Sequence, residues 1–174
     1  LVANYGGGSV AVLPTKDDGA LLEASDFIQH EGSSVNPNRQ QEPHAHSIMI
    51  APNNRYAYAP DLGMDKIMIY NLDLEKGKLQ PHSQPYQSVD PGQGPRHFDF
   101  HPNNQFAFVI NEIGNTIVSY NYNADGGTLE PTGSVPTLPA EFTGTSHTAD
   151  IHVHPNGKFL YGSNRGHDSL VICA

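Results

Sequence analysis

Apolar and polar residues alternate along the chain in short runs, clearest at Ser47 to Ile50, Tyr56 to Ala59 and Lys66 to Leu72, with a poorer run from Leu79 to Val89. Alternation over so few residues predicts strands with one buried face. Turn residues separate the runs: Pro52-Asn53-Asn54, then Asp61-Leu62-Gly63, then Glu75-Lys76-Gly77. The result is a unit of four strands joined by tight turns. That unit recurs. Ala51-Pro52-Asn53-Asn54-Arg55-Tyr56-Ala57-Tyr58 is followed by His101-Pro102-Asn103-Asn104-Gln105-Phe106-Ala107-Phe108 and by His154-Pro155-Asn156-Gly157-Lys158-Phe159-Leu160-Tyr161, with prolines 50 and 53 residues apart. Nine positions after each proline stands a short polar residue, Asp61, Asn111 or Asn164, and six further on an apolar one, Ile67, Ile117 or Leu170. Asn4 and Val10 keep the same six-residue offset, so the chain starts and stops in mid-repeat.

Four strands per unit at a period of about 50 residues is the pattern of a β-propeller blade. The fold class expected is therefore all-β: antiparallel four-stranded blades at residues 44–94 and 95–147, flanked by half-blades at 1–43 and 148–174, without a substantial helix. A plain antiparallel sandwich has no reason to repeat its turns in register. The 174 residues amount to about three and a half blades, against the four to eight of a closed ring. An open arc leaves strand edges in water, so a second chain or a missing half is expected to close it.

Composition narrows the function. With 18 Asp and Glu against 9 Lys and Arg the net charge is −9, which argues against nucleic acid and anionic membrane surfaces as partners. No apolar run approaches the roughly 20 residues of a membrane span. The single cysteine, Cys173, makes neither an internal disulfide nor a Cys-based zinc site, and points to a reducing, cytoplasmic setting.

In an antiparallel blade the loop entering the first strand and the turn between the second and third emerge at the same end. The residues there break the repeat. Six before each proline stand His46, Arg96 and Ala149; ten after it stand Leu62, Glu112 and Arg165, with Tyr5 at the same phase in the opening segment. A scaffold position keeps its residue type from blade to blade, whereas these change in charge, as a site shared among blades would. His46 and Glu112 are candidate proton acceptors, Arg96 and Arg165 candidate anion binders, and His44, His97, Asn111 and Asn164 neighbouring candidates for substrate contact. An ordinary structural pair between Arg96 and Glu112 is the competing reading. His101 and His154 share a position with Ala51 and read as turn residues. The pairs His44-Ala45-His46 and His152-Val153-His154 have spacing that can hold zinc, but no third ligand is fixed by the sequence, and neither metal nor other cofactor is expected.

The strings Glu42-Pro43-His44-Ala45-His46-Ser47, Gly94-Pro95-Arg96-His97-Phe98, Phe108-Val109-Ile110-Asn111-Glu112 and Ser163-Asn164-Arg165-Gly166-His167-Asp168-Ser169 resemble the lactonase family of seven-bladed β-propellers over essentially the whole chain. That family includes propeller-type 6-phosphogluconolactonases and fungal 3-carboxymuconate cyclases. The resemblance implies hydrolysis of a small anionic lactone, with His46, Arg96, Glu112 and Arg165 as active-site residues. The cyclase reaction and a non-catalytic binding platform are its alternatives. Family members span about twice this length.

Overall fold

The computed structural model describes residues 1–174 as fourteen strands and no helix. These are β1 (Val2–Asn4), β2 (Ser9–Val12), β3 (Asp26–Gln29), β4 (Met49–Ile50), β5 (Tyr56–Asp61), β6 (Lys66–Asp73), β7 (Lys78–Ser88), β8 (Pro95–Phe100), β9 (Phe106–Asn111), β10 (Thr116–Asn123), β11 (Thr128–Pro136), β12 (His147–Val153), β13 (Leu160–Arg165) and β14 (Ser169–Cys173). They form four sheets in chain order, β1 to β3, β4 to β7, β8 to β11 and β12 to β14, and every pairing is antiparallel. Both central sheets are four-stranded blades. The segments read as half-blades each hold three strands: the first begins at the position of a blade's second strand, and the last ends at its third.

Residue size on the two faces of a strand explains how neighbouring blades stack. All six residues of β5 are buried, because it packs on both sides. Tyr56 and Tyr58 face the following blade and join a cluster with Phe98, Phe100, Ala107, Val109, Tyr120 and Tyr122. Ala57 and Ala59 face the preceding sheet and meet Val10, Val12, Tyr70 and Leu79. Large residues on one face meet small ones on the next, which lets sheets interdigitate at close-packed density. Tyr58 is central. Its ring stacks on Phe98 at 5.4 Å between centroids with 2° between planes, and its hydroxyl donates to Gly127 O at 2.7 Å. The cluster between the last two blades is smaller, with Ile110, Ile117, Ile151 and Leu160 at its centre and the half-buried Cys173 packed against it.

The turns repeat as faithfully as the strands. Asn54, Asn104 and Gly157 take φ of 56°, 58° and 70° in the first turn of their blades. Only Gly, Asn and Asp tolerate that left-handed region readily, which is why the repeat places them there. The His101 side chain also ties blades together: its Nδ1 accepts from Asn103 N, and its Nε2 lies 2.9 Å from Gly157 O of the next blade.

Candidate active site

A one-residue slip in the first strand of each blade aims the candidate side chains. Between β8 and β9 the pairing passes from Pro95 opposite Asn111 to His97 opposite Ile110, leaving Arg96 as an extra residue. The register also changes across His46, between the Ala45–Asp61 bridge and the Met49–Tyr58 pair, and again between Thr148 and Ile151 of β12. Such bulges bend a strand and redirect a side chain. Glu112 follows β9 directly, with its N–H on Gly94 O at 2.7 Å, and Arg165 ends β13.

These four residues converge on one carboxylate. Glu112 Oε2 lies 2.8 Å from Arg165 Nη2, 2.9 Å from Arg96 Nε and 3.4 Å from His46 Nε2. Its other oxygen, Oε1, accepts from Arg39 Nη2 at 2.5 Å. Arg96 continues the network through Nη1, which donates to Ala149 O at 2.7 Å and lies 3.1 Å from His97 Nε2. His97 Nδ1 in turn meets Asp150 Oδ1 at 2.7 Å. Tyr5 stacks on His44 with ring centroids 4.5 Å apart and stands edge-on to His46 at 5.0 Å. The pairing of Arg96 with Glu112 is thus real, but it is one contact among several.

Electrostatics assigns different states to these groups. Burial works to raise the Glu112 carboxyl, yet hydrogen bonds from His46 and Arg39 and the charge of Arg165 outweigh it and hold the group well below the ordinary carboxylate range. Glu112 is an anchored anion and a poor proton acceptor. Burial lowers His97, assisted by the Arg96 charge and opposed by the Asp150 hydrogen bond, so the ring stays neutral at neutral pH. In that state Nδ1 carries the proton toward Asp150 and Nε2 accepts from Arg96. Burial and the neighbouring Arg165 charge press Arg96 downward, though a guanidinium stays protonated throughout the working range.

Asn111 and Asn164 use their side-chain donors on neighbouring turns. Both are buried. Asn111 Nδ2 donates to Thr116 Oγ1 at 2.9 Å; Asn164 Nδ2 donates to Thr137 O at 3.0 Å and Ser169 Oγ at 3.2 Å, while its Oδ1 accepts from Thr137 Oγ1 at 2.8 Å. Asn4 makes the same bond to Ser9 Oγ at 3.2 Å, so this position staples the turn between a blade's second and third strands. In the blade at 44–94 the equivalent Asp61 instead meets buried His30 at 2.6 Å and receives the N–H groups of His44 and Gly63. Nor do the His-x-His pairs gather a third ligand: no group of three His, Cys, Asp or Glu side chains is placed to hold a metal ion.

Two contributors escaped the repeat arithmetic. Arg39 lies outside the repeating register, in the loop from β3 to β4. Asp150 occupies the bulge of β12, which alternation alone does not reveal. Leu62, the first blade's counterpart of Glu112 and Arg165, is fully buried, and its carbonyl accepts from Gln40 of the Arg39 loop at 2.8 Å.

Radially stacked antiparallel blades with a cationic, histidine-bearing mouth define a partial β-propeller whose site is assembled from several blades. Comparison with known proteins is specific. The family profile described as lactonase, 7-bladed beta-propeller, matches residues 1–174, and the chain belongs to that family. It is 37% identical over 172 residues to the 6-phosphogluconolactonase of Bacillus subtilis strain 168, covering 99% of this chain and 48% of the relative. A 6-phosphogluconolactonase of Pectobacterium carotovorum is 38% identical over 170 residues, with 98% and 48% covered. Among solved structures, the periplasmic gluconolactonase of Pseudomonas aeruginosa superposes with a TM-score of 0.91 at 34% identity, again over 98% of this chain and 48% of that one. A Lactobacillus plantarum protein gives 0.90 at 36%, over the same shares. The chain spans about half the length of these relatives. No helix is long and apolar enough to cross a membrane.

Proposed function

We propose that the chain forms the site-bearing half of a lactone hydrolase of the 6-phosphogluconolactonase type. The observation that carries this reading is the convergence of His46, Arg96 and Arg165 on Glu112, all within 3.4 Å of a single carboxylate oxygen. Glu112 is held too acidic to accept a proton from water, which leaves it to orient its neighbours. His46 Nε2 lies 3.4 Å from Glu112 Oε2, and a neutral ring carrying its proton on that side offers Nδ1 as the acceptor. Such a carboxylate-oriented imidazole is the arrangement of a general base.

In this scheme His46 Nδ1 takes a proton from water as the water oxygen bonds to the lactone carbonyl carbon. Arg96, the most buried of the guanidiniums, stabilises the negative charge on the former carbonyl oxygen. The ring C–O bond then breaks, and the leaving oxygen receives the proton from His46. The product is an open hydroxy acid, whose carboxyl ionises at neutral pH. Arg165, half exposed at the rim, binds anionic groups of the substrate.

The partners that this reading calls for are a small anionic lactone and the blades that complete the ring, supplied by further polypeptide or by a second chain. Leu170 and Ile172 of β14 stand 67% and 61% exposed, on the face that a following blade would cover, as it covers the equivalent Ile67 and Ile69. A cytoplasmic location fits the lone cysteine; a tagged protein followed through cell fractionation would reveal export instead. For activity, 6-phosphogluconolactone and 3-carboxymuconate are supplied separately to the complete propeller, with acid release followed in a pH-stat and muconate absorbance in the ultraviolet. Catalysed acid release from the lactone supports the proposal. Consumption of the muconate alone would assign the cyclase reaction, and inertness toward both would make the mouth a binding platform.

A further inference from the structure

A buried polar network joins the first two sheets and touches neither Glu112 nor its arginines. His30, just past β3, is 3% exposed, and its Nδ1 lies 2.6 Å from Oδ2 of the fully buried Asp61. Its Nε2 lies 2.8 Å from the hydroxyl of Tyr70, a buried residue of β6. Burial and then the Asp61 charge push that hydroxyl above its ordinary range, so it keeps its proton and donates. With Tyr70 as donor, Nε2 accepts, and the imidazole proton sits on Nδ1, directed at Asp61.

The other oxygen of Asp61 grips the segment that leads into His46. Oδ1 accepts the backbone N–H of His44 at 2.7 Å and that of Gly63 at 3.0 Å. The two stretches of chain are then pinned together, with Leu62 N–H on His44 O at 3.0 Å and His46 N–H on Pro60 O at 2.9 Å. They approach so closely that a Cβ on Gly63 would overlap Glu42 O. His46 stands two residues from the N–H that Asp61 holds, within the register change between the Ala45–Asp61 bridge and the Met49–Tyr58 pair. A side chain at such a slip takes its direction from whatever anchors the strand on either side. On the far side, Ser47 Oγ donates to Arg96 O at 2.9 Å. On the near side the anchor is Asp61.

The other blades use this position differently. Asn4, Asn111 and Asn164 each donate to a Ser or Thr five residues on, whereas the residue five after Asp61 is Lys66, whose ammonium lies over the Tyr86 ring. A carboxylate costs more to bury than an amide and needs several donors around it. His30, His44 and Gly63 supply three. The sheet that carries this costlier group is the one whose first strand presents His46, and a departure of that kind points to function rather than to stability.

We propose that Asp61, oriented by His30 and Tyr70, is a positioning residue for the lactone-opening base: it fixes the backbone at His44 and so aims the His46 ring at the substrate. The proposal rests on the lactonase reading for the role of His46. A misplacement of about 1 Å can cost about 100-fold in rate. Loss of Asp61 should cost less, since the Ser47 anchor remains.

The test compares Asp61→Ala, Asp61→Asn and Tyr70→Phe in the complete propeller, with Tyr58→Phe as the control for lost stability alone. Steady-state hydrolysis of 6-phosphogluconolactone gives kcat and KM, and long-range proton–nitrogen NMR on labelled histidines gives the His46 ring shifts without substrate. Asp61→Ala should lower kcat about 10- to 30-fold, keep KM within about threefold and move the His46 shifts. Asp61→Asn should restore kcat to within about threefold of wild type, because its amide oxygen still accepts from His44 and Gly63 while its NH2 donates to His30. Tyr70→Phe should lower kcat about two- to fivefold, and Tyr58→Phe should leave kcat and the shifts unchanged. Unmoved His46 shifts in Asp61→Ala, or a kcat loss no greater than that of Tyr58→Phe, would overturn the proposal and leave Asp61 a staple between sheets. If Asp61→Ala does not fold, Tyr70→Phe decides: lowered kcat with moved His46 shifts supports the proposal, and wild-type values of both overturn it. A wild type inert toward the lactone would remove the lactonase reading alone, since the His46 shifts test the positioning without turnover.

Discussion

Replacing Glu112 by Gln separates the two roles assigned to that side chain, holding the site together and orienting the base. The carboxylate is 6% exposed, against 15% for Arg96, 33% for Arg39 and 51% for Arg165. Removing one partner from a fully buried ion pair costs about 3–5 kcal/mol. The arginines here keep contact with water, and the glutamine retains an acceptor, so the loss expected is about 2–3 kcal/mol, near that of hydrogen bonds to charged groups. The effect depends on pH. Glu112 has a folded-state pKa depressed below its ordinary 4.5, so its stabilisation is present in full above about pH 4.5 and is lost as pH falls through the depressed value. Denaturant unfolding of wild type and Glu112→Gln should therefore differ most at neutral pH, with the gap closing in acid. Turnover should fall about 100- to 1,000-fold, because His46 loses its orienting anion. A variant as stable as wild type at pH 7, with the same acid profile, would refute the network; unchanged turnover would refute the assignment of the base.

Other expectations follow from particular contacts. Nitrogen chemical shifts of His97 should show a neutral ring protonated on Nδ1 at pH 7, and Asp150→Asn should lower its pKa further, because the Asp150 hydrogen bond opposes the effect of burial. Asn164→Ala should cost about 1–3 kcal/mol in unfolding free energy by leaving Thr137 and Ser169 short of partners, while the affinity for 6-phosphogluconate stays the same. Tyr58→Phe should cost about 1 kcal/mol for the bond to Gly127 O, and Tyr58→Ala about 3–5 kcal/mol for a fully buried aromatic between two blades, both measured by denaturant unfolding.

The repeat exposed most of the fold, because a blade must spend the same residues on the same turns and faces each time it recurs. The Asn and Gly of the first turn fit a left-handed backbone, whereas the run from Tyr56 to Ala59 announces a strand but not its burial on both faces, which the blades stacked on either side impose. The same logic located His46, Arg96, Glu112 and Arg165 as departures from the repeat. It did not reveal that Asn4, Asn111 and Asn164 each bond to a Ser or Thr five residues on and so staple their own turns. It missed Arg39, which belongs to a single loop and has no counterpart to be compared with. Nor was the bulge at Arg96 legible, since a register slip depends on the partner strand and leaves no mark in the alternation of its own. Nor could the sequence show that Glu112 is held below the ordinary carboxylate range, since burial and neighbouring charge appear only in the assembled site.

The central claim is that a Glu112-oriented His46 opens a lactone at this mouth. Its most direct test is the steady-state hydrolysis of 6-phosphogluconolactone by the complete propeller and by its His46→Gln variant, with acid release followed in a pH-stat. Catalysed hydrolysis by the wild type is expected, with a fall in kcat/KM of about 100-fold or more in the variant, as loss of a general base commonly gives. Hydrolysis by His46→Gln at the wild-type rate would contradict it.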